Sequence, residues 1–187
     1  MTYVELHAHS AYSFLDGASL PEELAIAAAG YGYEAFALTD HDNVCGAMEL
    51  AQACKGLGVR PIHGAELTVR DGDGEFHLTV LVENAAGWHS LSRLLTESHA
   101  GTRPKPDHDP LPPSLALDSL LAAGEGLVCL SGCAANGAVA GSWERGHPER
   151  AEQLARRLVA AFGRDRFRIE LQRPFWRRDR TRNRRLA

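Results

Sequence analysis

Side chains that can bind a metal ion recur at regular places along this 187-residue chain. They are imidazoles, carboxylates and one thiol, and the candidates are His7, His9, Asp16, His41, Glu66, His99 and Cys133. These groups form the ligand set of zinc, and manganese or iron is favoured as oxygen ligands increase. Seven ligands are too many for one tetrahedral ion. We therefore expect a cluster of two or three metals, with Glu66 as a possible bridging carboxylate.

The spacing of these residues suits hydrolysis at phosphorus. Side chains at positions i and i+2 of a strand point to the same side, so His7 and His9 can reach one ion. Multi-metal clusters activate water and hold phosphate oxygens, which is the chemistry of phosphoesterases. A metal-activated hydroxide would be the nucleophile, so no catalytic residue is expected beyond the cluster. Asp40, directly before His41, is expected to support the ligands from behind.

Each candidate also has a simpler explanation. With nine histidines in the chain, a His-x-His pair arises easily by chance. The run Asp40-His41-Asp42 could cap a helix, and Cys133 could be a small core residue. Taken singly, most of these residues favour a structural role; taken together, they favour a metal cluster. The remaining histidines are given no role: His63, His77, His89, His108 and His147.

The elements that must position these residues alternate between short apolar strands and amphipathic helices. Strands are predicted at 3–9, 35–40, 60–69, 76–82, 127–130 and 167–171. Helices are predicted from Ser19 as N-cap to 30 or 32, at 46–56, 84–100, 114–123 and 148–162, and towards the chain end. Residues 101–113 are predicted to be a proline-rich loop. The pattern indicates an α/β fold with a mainly parallel sheet, open or closed into a barrel, whose reactive groups lie at the carboxyl ends of strands.

Charge is distributed unevenly along the chain. Residues 1–163 hold 21 Asp and Glu against 10 Lys and Arg, whereas residues 164–187 hold 10 Arg against 3 acids. An acidic body argues against a nucleic-acid clamp, and the arginines are interpreted first as a helix face paired with that body. No apolar run approaches the roughly 18 residues of a membrane span, and no signal peptide is visible. The expected location is the cytoplasm, with no membrane contact and with free thiols.

Several ordered motifs resemble one known family. The segments L-H-A-H-S, L-T-D-H-D and G-A-E resemble the polymerase and histidinol phosphatase (PHP) family. The segments S-F-L-D-G-A, L-S-R-L-L-T-E-S-H, L-V-C-L-S-G-C and R-I-E-L-Q are similar to its bacterial DNA polymerase branch. That branch comprises the N-terminal regions of the DNA polymerase III alpha subunit and of its error-prone relative. The sequence of these segments is most similar to the error-prone type.

The resemblance implies a distorted (β/α)7 barrel with up to three ions, Zn²⁺ or Mn²⁺ or Fe²⁺, at the carboxyl ends of its strands. By motif position it assigns the ligands His7, His9, Asp16, His41, Glu66, His99 and Cys133. It implies phosphoester hydrolysis, as a 3′–5′ exonuclease or a pyrophosphatase. The implied partners are the remaining polymerase domains and, through them, DNA.

Three departures from the family pattern limit what carries over. The closing Asp-x-His pair and the polymerase palm are missing, and Gln172-Arg-Pro-Phe-Trp replaces a segment that often carries His. We therefore expect residues 1–187 to be one PHP domain without its last strand, weak or inactive alone. Two alternatives stay open: a free-standing phosphatase resembling histidinol phosphatase, and a non-catalytic scaffold stapled by metal.

Overall fold

A six-stranded mixed sheet with helices packed against it organises the chain. The computed structural model describes residues 3–103, 109–173, 175 and 177–187. The strands are β1 Ala35–Leu38, β2 Arg60–Asp71, β3 Gly74–Val82, β4 Leu115–Ala116, β5 Leu127–Leu130 and β6 Phe167–Arg168. The helices are α1 Pro21–Gly30, α2 Ala47–Leu57, α3 Ala85–His99, α4 Leu117–Ala122, α5 Ala140–Glu144, α6 Pro148–Phe162 and α7 Asp179–Leu186.

The strand order is β1-β2-β3-β5-β6, with β4 pairing to β2 beside this path. The sheet forms a half-barrel with flanking helices, so the α/β class and the partial barrel are confirmed. Five of the six strands run in one direction, in agreement with the predicted mainly parallel sheet, and β3 runs antiparallel to its neighbours β2 and β5. The reason is local: Asp71 pairs with Gly74 across a tight hairpin, and Gly72 adopts the positive φ of 59° that such turns favour.

The N-terminal segment follows the outer edge of β1 without becoming a regular strand. A strand was predicted over residues 3–9, but only Glu5 forms a bridge, to Phe36. Ala37 N and Thr39 N donate to the carbonyls of Glu5 and Ala8, each at 2.9 Å. At the far side of the sheet, β6 ends at Arg168 instead of continuing to 171 as predicted. The sheet thus carries an extended but irregular segment at each end.

The main core lies between the sheet and helices α3, α4 and α6. Leu154, Leu158 and Phe162 line one face of α6 and are buried against strand residues such as Leu67 and Leu78. Full burial of each such side chain stabilises the fold by about 1.5–3 kcal/mol. A smaller core packs α1 and α2 against β1. The strands that carry the polar candidate residues are therefore packed against two apolar cores.

Several local predictions are confirmed and others are wrong. Helix α6 has the predicted bounds, whereas α1 begins after Leu20 instead of Ser19, because the Glu23 carboxylate accepts from Leu20 N at 2.8 Å. Helix α5 was not predicted. Part of the proline-rich loop, including His108, lies outside the described residues. Among the described helices, none is both long and apolar enough to cross a membrane.

Candidate metal centre

Glu66 lies at the centre of a ring of histidines. Its side chain is 1% exposed, and its Oε2 is 2.9 Å from His41 Nε2, 3.1 Å from His9 Nε2 and 3.5 Å from His7 Nε2. Its other oxygen, Oε1, is 3.5 Å from His77 Nδ1. Four imidazoles thus converge on one buried carboxylate.

Strand pairing explains why these side chains meet. In the β2–β3 hairpin Glu66 is opposite Thr79 and Thr68 is opposite His77. Directly opposed residues share a face, as do residues two apart, so Glu66, Thr79 and His77 project to one side. His41, just beyond β1, forms a parallel bridge with Glu66. The N-terminal segment adds His7 from the outer edge.

The loop from His9 to Asp16 is fastened by Asp40. This buried carboxylate accepts hydrogen bonds from Ser10 N at 2.7 Å, Ser10 Oγ at 2.8 Å and Ser13 Oγ at 2.7 Å. The loop then delivers Asp16, which hydrogen-bonds to the Nδ1 of His9. Asp16 Oδ2 also lies 3.8 Å from His41 Nε2. Asp40 thus sits behind the cluster and contacts the loop, not the space between the histidines.

Cys133 lies in the loop after β5 and lines the same cavity as the histidines. Its side chain hydrogen-bonds to His77, and its Sγ accepts from Asn136 N at 3.3 Å. The cavity has a volume of about 630 Å³. It is lined by His7, His9, Asp16, Gly17, His41, Glu66, His77, Cys133, Ala135, Asn136 and Gln172. Of the seven predicted ligands, six line this one cavity.

His99 is the predicted ligand that the structure does not bring into the cluster. Its Nε2 lies 2.7 Å from the Asp42 carbonyl oxygen, a hydrogen bond that ties the end of α3 to the loop after β1. His77, which the sequence analysis left without a role, occupies the cluster instead. The Asp71-Gly-Asp-Gly turn was the available signal. If Asp71 pairs with Gly74 across this turn, Thr68 pairs with His77. Glu66 lies two residues from Thr68 on the same strand, so it shares a face with His77.

Burial and mutual pairing shift the proton affinities of the cluster. Burial opposes ionisation of Glu66, but hydrogen bonds from His41, His7, His77 and His9 outweigh it and lower the pKa of the carboxyl group. Burial favours a neutral His7 ring, yet hydrogen bonds to Glu170 and Glu66 raise its pKa to about 10. The surroundings therefore favour positive charge beside Glu66.

The pKa of His77 is set by the same two opposing effects, burial and hydrogen bonding, with Cys133 as a partner besides Glu66. Burial is outweighed by hydrogen bonds to Cys133 and Glu66, which raise the pKa of His77 to about 10. Conversely, the hydrogen bonds from His77 and from the Asn136 backbone outweigh burial and lower the pKa of the Cys133 thiol. The His77 ring thus stabilises the thiolate form of Cys133 relative to that of an isolated thiol.

The donor set and its spacing fit divalent cations. Three overlapping groups each place one ligand atom per residue within 4.8 Å of the others: His7 with His9 and Glu66, His9 with Asp16 and His41, and His41 with Glu66 and His77. Among the described residues, the buried His9 Nε2 and Glu66 Oε1 atoms make only the imidazole–carboxylate contacts already described, and neither contact has the alignment of a regular hydrogen bond. Buried polar atoms normally have such a bond, so both atoms have the free lone pairs that a metal ligand needs.

Comparisons with known proteins agree on one family. The model of the PHP domain matches residues 5–174. An error-prone DNA polymerase of Symbiobacterium thermophilum is 41% identical over 181 residues, which cover 91% of this chain. The DNA polymerase III subunit alpha of Treponema pallidum is 38% identical over 185 residues, or 92% of this chain. The chain spans only 16% and 15% of these two relatives.

A solved structure supports the fold. The chain superposes on a protein from Bifidobacterium adolescentis, described as a metal-dependent phosphoesterase, with a TM-score of 0.58. The sequence identity is 16%, and the match covers 90% of this chain and 86% of the other. Agreement over nearly both whole chains shows that the two share an architecture.

Proposed function

Because the chain belongs to the PHP domain family, we propose that the histidine cluster around Glu66 is a divalent-metal centre that hydrolyses phosphoesters. The observation that carries this proposal is the buried Glu66 carboxylate, which four histidines share at the base of an open cavity. A buried charge is costly unless it is paired or coordinates a metal. The ligands suit Zn²⁺ or Mn²⁺, with Fe²⁺ as a further candidate.

The ligands we propose are those that the fold brings together. They are His7, His9, Asp16, His41, Glu66 and His77, with Cys133 beside His77. When bound, the ions would activate water and neutralise phosphate oxygens. Asp40 supports this set by holding the loop between His9 and Asp16 in place.

The cavity wall is consistent with a substrate that the metal itself must attract. Among the described residues that line the cavity there is no Lys or Arg. A phosphate group therefore finds its positive charge at the proposed ions and not in side chains. The exposed Asn136 is the neutral polar side chain at the rim that could orient a substrate oxygen.

We further propose that the substrate is a phosphodiester at the 3′ end of a DNA strand, with pyrophosphate as the competing candidate. The support is the similarity to polymerases, whose reaction releases pyrophosphate and leaves a 3′ end. The proposed partners are further polymerase domains and DNA, in the cytoplasm. An oligonucleotide and pyrophosphate assayed side by side distinguish the two substrates.

Metal content is the first test. The His7→Ala/His9→Ala double variant should lose most of the zinc or manganese found by elemental analysis of the purified chain, because both imidazoles leave one site. His89→Ala is the matched control, since His89 is exposed on α3 outside the cavity. An unchanged metal content in a folded double variant would refute the assignment.

Hydrolysis is the second test. A 5′-labelled single-stranded oligonucleotide and pyrophosphate are each incubated with the 187-residue chain and Mn²⁺. Turnover, even if slow, should disappear with a chelator and in the double variant, and it should persist in His89→Ala. Turnover that survives chelation would rule out a metal-dependent reaction.

A further inference from the structure

We infer that Glu170 is a positioning residue for the metal centre: it orients His7 from the side opposite Glu66. This inference rests on the proposed metal centre. No motif in the sequence analysis assigned Glu170 a role, and it lies two residues beyond β6, at the other end of the sheet from His7.

The two ring nitrogens of His7 face two different carboxylates. Nε2 lies 3.5 Å from Glu66 Oε2, whereas Nδ1 lies 2.8 Å from Glu170 Oε1. If Nδ1 carries the proton and donates it to Glu170, Nε2 keeps its lone pair for an ion beside Glu66. A carboxylate in this position fixes the tautomer and the ring orientation and makes the ligand nitrogen more basic.

Other groups near Nδ1 cannot replace Glu170. The Gln172 amide nitrogen lies 3.5 Å away, and since it is a donor it cannot accept the Nδ1 proton. The Thr79 hydroxyl is 3.3 Å from Nδ1 and nearly as close, at 3.5 Å, to Nε2, so it does not distinguish the two nitrogens. Glu170 supplies the short, charged contact that does.

Glu170 is itself held in place by neighbouring groups. Its backbone N–H donates to Ser131 Oγ at 2.9 Å, and the Gln172 side-chain amide donates to its Oε1. The Gln172 side chain is anchored at its other end, because its Oε1 accepts from Ala134 N at 3.0 Å. Ala134 follows Cys133 in the chain, so the Gln172 side chain connects the loop that carries Cys133 with the region of His7.

Helix α7 braces this arrangement from outside. The Gln172 carbonyl accepts from Arg182 Nη2 at 2.7 Å and from Asn183 Nδ2 at 2.9 Å. Arg182 is 3% exposed and forms an ion pair with Asp179 at 3.0 Å, so its position is fixed. A continuous set of contacts therefore runs from α7 through Gln172 and Glu170 to His7.

The test compares Co²⁺ binding by the wild type, Glu170→Gln and Glu170→Ala, followed by the visible absorption of bound Co²⁺. Loss of a carboxylate that supports a metal-bound histidine typically weakens metal affinity 10–100-fold. We expect a loss in this range for Glu170→Ala and a smaller one for Glu170→Gln, which keeps the shape and a neutral acceptor. Glu152→Gln is the control, because Glu152 is exposed on α6 and pairs with Arg156.

A second readout separates positioning from general stability. In the zinc-loaded wild type, ¹⁵N spectra of the histidine rings should show His7 protonated at Nδ1, and this signature should be lost in Glu170→Ala. If Glu170→Ala fails to fold, Glu170→Gln alone decides the question, because it conserves volume. Failure of the wild type to bind Co²⁺ would overturn the proposed metal centre; equal affinity in wild type and Glu170→Gln would overturn only the role of Glu170.

Discussion

Glu66 is the residue on which the site depends. It is nine-tenths or more buried, and a carboxylate in such a place is tolerated only if cations surround it. In the metal-free chain, the histidine protons supply that charge; in the proposed loaded state, metal ions would replace them. The same geometry therefore accounts for the raised pKa values of His7, His9 and His77 and for a preference for divalent cations.

Replacing His77 and replacing His99 should have contrasting effects on Zn²⁺ affinity and on stability. His77→Ala should weaken Zn²⁺ binding by about tenfold or more, because His77 faces Glu66 across the cavity. His99→Ala should leave Zn²⁺ affinity unchanged and lower the free energy of unfolding by about 1 kcal/mol, since it removes one hydrogen bond to a backbone carbonyl. Isothermal titration and urea denaturation measure the two effects. The reverse pattern would restore His99 as the ligand.

The four cysteines should differ in reactivity towards iodoacetamide. Cys45 is exposed, and hydrogen bonds lower the pKa of the half-buried Cys133 thiol, so both should be alkylated in the metal-free chain. Burial raises the pKa of Cys54 and Cys129, and these should stay unmodified. Zn²⁺ should protect Cys133 and not Cys45, as read by peptide mass spectrometry. Equal labelling of Cys133 with and without Zn²⁺ would contradict its place beside the metal.

Among the elements, those with a strong local pattern were predictable and those set by distant contacts were not. Helix α6 is predictable from the apolar residues on one face and from Pro148 at its start. Strand β5 is predictable from the run L-V-C-L. The segment before β1 has a strand-like composition, but only Glu5 pairs in a regular way. Its path depends on β1 and on Asp40, which no local pattern reveals.

Two helical glycines should respond in opposite directions to alanine. A Cβ on Gly87, in the first turn of α3, would lie 1.8 Å from the Gly126 carbonyl oxygen, so Gly87→Ala must push α3 away from the turn before β5. Overpacking of this kind costs about 1–3 kcal/mol. A Cβ on Gly56 in α2 would meet nothing within 4 Å, and Gly56→Ala should add about 0.5 kcal/mol through helix propensity. Urea denaturation of both variants decides; a stabilised Gly87→Ala would show that the contact is relaxed easily.

For the molecule as a whole, the structure brings most of the residues that the resemblance assigned as ligands to one cavity and leaves His99 outside its lining. Six of seven expected ligands line one cavity. The α/β pattern explains the place of His41 and Cys133, which follow β1 and β5, whereas Asp40 fastens the loop that carries Asp16. The position of His77 beside Glu66 depends on the antiparallel register of β3, and the contact between Glu170 and His7 joins segments at opposite ends of the sheet. Contacts between residues 163 positions apart are not encoded in any local spacing.

The role of the arginine-rich segment, residues 164–187, also depends on the whole fold. Arg182 is buried against Asp179 and Gln172, as expected for arginines that serve structure first. Its partner Asp179 belongs to the same helix, however, and not to the acidic body that the charge distribution suggested. The part of the tail seen here thus acts as a brace at the edge of the cavity.

The stability of the whole molecule should depend on pH in opposite ways with and without metal. In the metal-free chain the pKa values of His7 and His77 are raised to about 10, above the ordinary value near 6.5. Their contribution to stability is fully present below pH 6.5 and is lost as the pH rises towards 10. Metal binding requires deprotonated ligands, so its contribution grows with pH, and at a Zn²⁺ concentration 100 times Kd it amounts to ~2.7 kcal/mol.

The difference in Tm between the zinc-saturated chain and the chain in chelator should therefore widen from pH 6 to pH 8, as measured by calorimetry. In the His7→Ala/His9→Ala variant the difference should be small at every pH, because the metal has lost two ligands and two of the histidines with raised pKa values are gone. Proton release on Zn²⁺ binding, obtained from titrations in buffers of different ionisation enthalpy, should be positive at pH 7. A Tm increment that stays constant with pH, together with no proton release, would show that protons and metal do not compete for the ring around Glu66.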